Sequence, residues 1–174
     1  MTNSAWNRRQ LFAGTDTGGS EEWATPRGLF DALDMEFGFD LDAAASNSNA
    51  CVPEFITKSE DALTIDWSAR GSVVWLNPPY GRGVGEWLAK AHSESMKGIT
   101  VVVLIFARTD TAWWHEHASK AAEARFLRGR VHFERADGHT GAATAPSVVL
   151  VYDERRRRPH ISHIDIQRRQ DHGK

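Results

Sequence analysis

A single cysteine, Cys51, excludes a disulfide framework and a four-cysteine metal site, and leaves a reducing cytoplasm as the expected compartment. No apolar run approaches the ~20 residues of a membrane span. The opening MTNSAWNRRQ lacks the apolar core of a secretion signal. Neither sign of charge dominates: 21 Lys and Arg face 23 Asp and Glu, for a net charge of −2. That balance speaks against wholesale coating of a polyanion. The Gly-Lys-Ser/Thr ending of a phosphate-binding loop is missing, so AGTDTGGSEE at 13–22 reads as a flexible loop. His115 and His117, in WWHEH, do not have the i, i+4 spacing of a metal-binding helix. With 174 residues the chain suffices for one domain with a sizeable core and is a tight fit for two. A separate target-recognition domain is not expected.

The charge that is present is unevenly spread. Residues 155–174 hold seven basic side chains (Arg155, Arg156, Arg157, Arg158, Arg168, Arg169, Lys174) against Asp165 and Asp171, or +5. The remainder carries 14 basic and 21 acidic residues, or −7. Such a tail is either a phosphate-binding arm or a solvated end. Residues 160–167, HISHIDIQ, are also compatible with a final strand. The chain therefore divides into a flexible arm at 1–20, a domain at 21–153 and a basic tail at 154–174.

Within the domain, strand and helix signals alternate. Thr25-Pro26 has the form of a helix start, Thr as N-cap and Pro at the first helical position, with Leu29, Phe30, Leu33 and Phe37 following at helical spacing. FGFDLD alternates as a strand whose carboxyl end carries acid, and AAASNSNA follows as a turn and short helix. A second strand is expected over 51–57, a loop containing Asp61 over SEDALTIDW, and a strand over 72–76. Residues 83–97 pattern as a helix with Trp87, Leu88 and Ala91 inward. ITVVVLIFA is an unbroken apolar run, as in a strand buried on both faces. A helix over 111–122 and strands in RFLRGRVHF and APSVVLVYD complete a doubly wound α/β domain. Ligands bind at the carboxyl ends of the strands in such sheets. Asp42, Asp61, Asn77 and Arg108 all follow predicted strands or lie in the loops between them.

The sharpest feature is VVWLNPPYG at 73–81. Two prolines cannot continue a central strand, because neither donates an N–H to the ladder. They hold the Asn77 carboxamide oxygen and the carbonyl after it on one spot, while Tyr80 offers a flat face. Two acceptors suit an –NH2 group on a planar ring or amide. Adenine N6 is a poor nucleophile because its lone pair is delocalised. Acceptors that hold its hydrogens favour pyramidal nitrogen and stabilise the positive charge that develops on alkylation. An aromatic face stacks on a base that has left the helix, worth ~1–3 kcal/mol. This chemistry suits methyl transfer from S-adenosylmethionine and needs neither a metal nor a covalent enzyme intermediate. The plainer alternative is a turn that merely ends a strand.

The chain resembles the phage and prophage DNA N-6-adenine methyltransferases (Dam family) over roughly residues 21–153. The resemblance rests on EEWATPRGLFDALDMEFGFDLDAAAS, EFITKSEDALTIDW, WLNPPYG, TDTAWWH, and FLRGRVHF followed by SVVLVY, in that order. It implies a single-domain, Rossmann-like methyltransferase fold that binds S-adenosylmethionine, releases S-adenosylhomocysteine and uses no metal. Trp23, Thr25 and Pro26 would line the cofactor pocket; Asp42, Ala43, Ala44 and Ser46 would hold the methionine moiety; Asp61, with Ala62 beside it, would accept a hydrogen bond from the cofactor adenine. Asn77, Pro78, Pro79 and Tyr80 would take the target base, flipped from DNA. One departure from the wider methyltransferase pattern stands out: Ala-Ala-Ala-Ser replaces the glycine-rich turn after the first strand. The implied setting is a bacterial cytoplasm, with DNA as partner, no membrane, and a monomer or homodimer.

Each residue also has an ordinary reading. Asp42 suits an N-cap, Asp61 a turn, and Cys51 a small buried hydrophobe. Trp113 is expected to place one ring of the Trp113-Trp114 pair on the surface, within reach of DNA. Arg108 and Arg130, after strands, and Arg155 and Arg156, in the tail, are candidates for DNA phosphates or for structural ion pairs. An RNA guanine N2 or protein glutamine methyltransferase, and an inactive DNA-binding module, are the competing functions.

Overall fold

The computed structural model describes residues 23–81, 83–135, 140–156 and 160–165. The arm at 1–20, and Arg157, Arg158, Arg168, Arg169 and Lys174 of the tail, lie outside the described residues.

Trp23–Ala24 form a short strand, β1, and helix α1 follows over Arg27–Phe37. The helix cap is Pro26, not Thr25. With φ −55° and ψ 129°, Pro26 turns the chain and its carbonyl accepts from the amides of Leu29 and Phe30. Thr25 is left one residue outside, its hydroxyl available to the site described below. α1 stops at Gly38, whose φ of +68° suits glycine and whose amide bonds the Asp34 carbonyl. The FGFDLD stretch is therefore split. Phe37 belongs to the helix, Phe39 packs its ring 5.5 Å from Phe30 and 5.4 Å from Trp75, and only Leu41–Asp42 is strand, β2. The strand expected over 51–57 reduces to one parallel bridge between Phe55 and Asp42, and AAASNSNA makes turns without a helix.

The remaining elements are β3 (Val73–Leu76), α2 (Val84–Ser95), β4 (Thr100–Phe106), α3 (Ala112–Glu116) running into a 3-10 turn at Ala118–Lys120, β5 (Glu123–Arg128), β6 (His132–Arg135), β7 (Thr140–Ala142), β8 (Ser147–Tyr152) and β9 (His160–Asp165). The main sheet has six strands in the order β2-β3-β4-β8-β5-β9. β2, β3 and β4 are parallel; β8 inserts antiparallel between β4 and β5; β9 lies parallel to β5. Part of the basic tail is thus sheet: His160 pairs with Glu123 and Asp165 with Arg128.

Both faces of this sheet are covered, which explains the unbroken apolar runs. Alternate residues such as Val101, Val103, Leu150 and Tyr152 pack with Trp87, Leu88 and Ala91 of α2. Their neighbours Val102, Leu104, Val149 and Val151 pack with Phe30 and Leu33 of α1 and with Phe133 of a second, three-stranded sheet, β1-β6-β7. The architecture is a mixed α/β fold in which the small sheet shares one face with α1. No helix among the described residues is long and apolar enough to cross a membrane.

Candidate active site

The parallel strands send their carboxyl ends to one edge, and the chain turns out of β2 at Asp42, β3 at Leu76 and β4 at Phe106 along it. A cleft of about 680 Å³, counted with its mouth, opens there. Its walls are Ala24 and Thr25, Asp42 and Ala44 to Ser46, Asn49, Cys51, Lys58, Trp75, and the whole Asn77-Pro78-Pro79-Tyr80 turn. Segments far apart in sequence therefore meet at one place.

Asn77 has the most informative geometry. Its Nδ2 donates to Thr25 Oγ1 at 3.2 Å, and Thr25 is itself buried. Its Oδ1 is buried and accepts no hydrogen bond among the described residues. An unsatisfied buried amide oxygen costs about 1–3 kcal/mol. Asn77 itself lines the cleft, and this oxygen has no donor among the described residues. Pro78 and Pro79 are buried behind it. The Tyr80 ring stacks on Phe106, centroids 4.2 Å apart and planes at 25°, and meets the edge of Phe133 at 5.7 Å and 67°. Beyond Phe106, the Arg108 guanidinium lies 5.9 Å from the same ring.

Asp42 is 3% exposed, and its carboxylate is held by two main-chain amides, Ala44 to Oδ1 at 3.2 Å and Cys51 to Oδ2 at 3.1 Å. No helix follows for it to cap. Burial raises its pKa to about 6, against the lowering influence of those two amides. The Cys51 thiol is pushed up to about 12, first by burial and then by the neighbouring Asp42 charge, so it stays protonated and unreactive. Ser46 is fixed by Asn49, whose Oδ1 accepts from the Ser46 amide at 2.7 Å and from its hydroxyl at 3.0 Å. Ala43 points into the core with no exposure.

Other expected residues fall elsewhere. Asp61 and Ala62 are not among those lining the cleft, although Lys58 of the same loop is. Asp61 adopts φ +53°, and its carbonyl accepts from the amide and hydroxyl of Thr64 at 2.8 and 2.9 Å. Ala62 is buried, its carbonyl taken by the Trp67 indole at 2.8 Å. Trp23 sits in β1, paired with Arg135 of β6, and Pro26 caps α1. Arg108 and Arg130 are exposed after β4 and β5, on the cleft edge of the sheet. Trp113 is half-buried, its Cβ beside Gly85 and its ring 6.1 Å from Trp114. Arg155 and Arg156 lie at the opposite edge. Arg155 pairs with Asp153 and bonds Thr100 Oγ1 at 2.7 Å, at the start of β4; Arg156 pairs with Glu123 at 2.9 Å. Asn49 and Lys58 line the cleft, and Phe106 backs Tyr80, without a distinguishing sequence signal. Among the described residues no cluster of His, Cys, Asp and Glu is fit to hold a metal ion.

A small-molecule cleft at the carboxyl edge of an α/β sheet, closed on one side by an Asn-Pro-Pro-Tyr turn with a bare acceptor, defines the class of an amino-group methyltransferase. The family is more particular. The family model for DNA N-6-adenine-methyltransferase (Dam) matches residues 14–174, and this chain belongs to that family. A DNA N-6-adenine-methyltransferase of Haemophilus phage HP1 is 30% identical over 138 residues, covering 75% of this chain and 78% of the phage protein. A second, from Escherichia phage T1, is 35% identical over 102 residues, or 58% of this chain and 42% of that protein.

Proposed function

We propose that this protein transfers a methyl group from S-adenosylmethionine to N6 of adenine in DNA, on a Rossmann-like domain, in the cytoplasm of a phage-carrying bacterial cell. The observation that carries this reading is Asn77 Oδ1, a buried acceptor with its amide nitrogen already committed to Thr25. Because Nδ2 is engaged, the carboxamide turns its oxygen, not its nitrogen, to the incoming amine.

The cleft residues fit the cofactor. Asp42 supplies negative charge for a ligand carrying an ammonium and a sulfonium, and Ala44 and Ala45, with no bulk beyond Cβ, let such a ligand approach the main chain. Thr25 and Ser46, which line the cleft, would meet its amino-acid end, and Asp61, beyond Lys58 in the same loop, would accept a hydrogen bond from its adenine. When bound, S-adenosylmethionine supplies an electrophilic methyl group and leaves as S-adenosylhomocysteine. Asn77 Oδ1 and the carbonyl after it hold the two N6 hydrogens of the flipped base, so the nitrogen lone pair is free to attack as positive charge develops there. The surplus N6 proton then passes through these acceptors to water. Tyr80 stacks on the base, and Arg108 and Arg130 meet the phosphates on either side. Trp113, in α3 after Arg108, contacts the same strand.

Radiolabelled methyl transfer to DNA, RNA and protein side by side tests the reading. Label in DNA, released as N6-methyladenine on digestion, is the expected result. Label in RNA guanine or protein glutamine, or in none of the three, refutes it.

A further inference from the structure

The two prolines of the turn fix the main chain, but they leave the χ angles of Tyr80 unset. A platform for a flipped base is effective only if its ring plane is already in place. We infer that Phe106 and Phe133 are positioning residues that clamp the Tyr80 ring from two directions and preorganise it for base stacking. The inference rests on the reading of Tyr80 as the base platform.

The clamp is built from two separate layers of the fold. Phe106 is the last residue of β4, and its main chain is registered against Ser147 of β8, so the ring that faces Tyr80 at 4.2 Å rises from a fixed strand. Phe133 is 5% exposed in β6, in the small sheet, and meets Tyr80 at 67°. One near-parallel contact and one edge contact set both the tilt and the depth of a ring. Neither phenylalanine lines the cleft, which means neither touches the cofactor site.

A double-mutant cycle provides the test. Phe106→Ala should lower kcat/KM on unmethylated plasmid DNA about tenfold, with Phe106→Tyr returning most of it, and the Kd for S-adenosylmethionine by calorimetry should stay within about twofold. If Phe106 acts through Tyr80, the Tyr80→Ala, Phe106→Ala double variant is no slower than Tyr80→Ala alone. Losses that multiply overturn the inference, as does a Phe106→Ala or Phe133→Ala enzyme at wild-type rate beside an impaired Tyr80→Ala. Wild-type rate in Tyr80→Ala itself refutes the platform reading and the clamp with it. Should Phe106→Ala lose its folded melting transition, Phe106→Leu keeps the bulk without the flat face and is read against the same outcomes.

Discussion

With Asp42 as the proposed cofactor carboxylate, cofactor binding should depend on pH. Of the groups that line the cleft, only Asp42, Cys51, Lys58 and Tyr80 ionise, and no histidine is among them. Asp42, raised to about 6, is the one that titrates between pH 5 and 7. A cationic ligand binds the carboxylate, not the acid, so affinity for S-adenosylmethionine should fall about tenfold for each pH unit below 6 and level off above 7. Binding below pH 6 should also release one proton. Calorimetric titration at pH 5, 6 and 7.5, in two buffers of different ionisation enthalpy, measures both. The stability of the ligand-free protein should run the other way. Because the folded pKa lies above that of an unfolded Asp, the contribution of Asp42 is fully present below pH 4 and is lost as pH rises through 6. The loss totals about 3 kcal/mol, from two units at 1.36 kcal/mol each. Asp42→Asn should abolish both slopes. Equal affinity at pH 5 and 7.5, or the same slope in Asp42→Asn, refutes the assignment of Asp42 to the cofactor.

Asn77→Ala removes the acceptor proposed for the target amine, so single-turnover methylation should drop at least ~100-fold, about 2.7 kcal/mol, with cofactor affinity kept. Asn77→Asp, which retains an oxygen, should lose less; an alanine variant within about tenfold of wild type counts against the mechanism. Arg130→Gln and Arg108→Gln should each reduce the salt slope of DNA binding by about one phosphate contact. Arg155→Gln and Arg156→Gln break ion pairs at the far edge and should lower the melting temperature while leaving that slope in place. Deleting residues 157–174 removes β9 from β5 and should yield protein that aggregates on heating well below the intact chain, as followed by light scattering.

What the sequence disclosed follows from how burial writes itself into residues. A strand covered on both faces needs apolar side chains at every position, so 100–106 and 147–152 were plain, as was the inward face of α2 at Trp87, Leu88 and Ala91. β1 and β7 have two and three residues, too few for any period to show, so the small sheet was not legible although the start of β6, with its Phe133, lies within RFLRGRVHF. Pro78 and Pro79 announced the turn, because proline chemistry is local. The hydrogen bond from Asn77 to Thr25 spans 52 positions, and nothing local encodes it. Thr25-Pro26 carried a true signal of a helix start, one residue out of place. The arginine run had a composition equally suited to phosphate binding and to ion pairing. Only the buried carboxylates of Asp153 and Glu123, brought beside it by β8 and β5, settle Arg155 and Arg156 into pairs.

The placement of β8 has a consequence for biogenesis. The strand at the middle of the sheet, buried along its whole length, comes from residues 147–152, whereas the cleft is built by residues 24–80. On a ribosome, β3 and β4 emerge long before β8 is made, and β4 must wait with one apolar edge open. An open apolar edge is a template for another chain, and contacts of such sequence separation form slowly. Nascent or refolding chains are thus most exposed to aggregation while their active-site residues already exist, and the protein gains a working site only when its last third is in place.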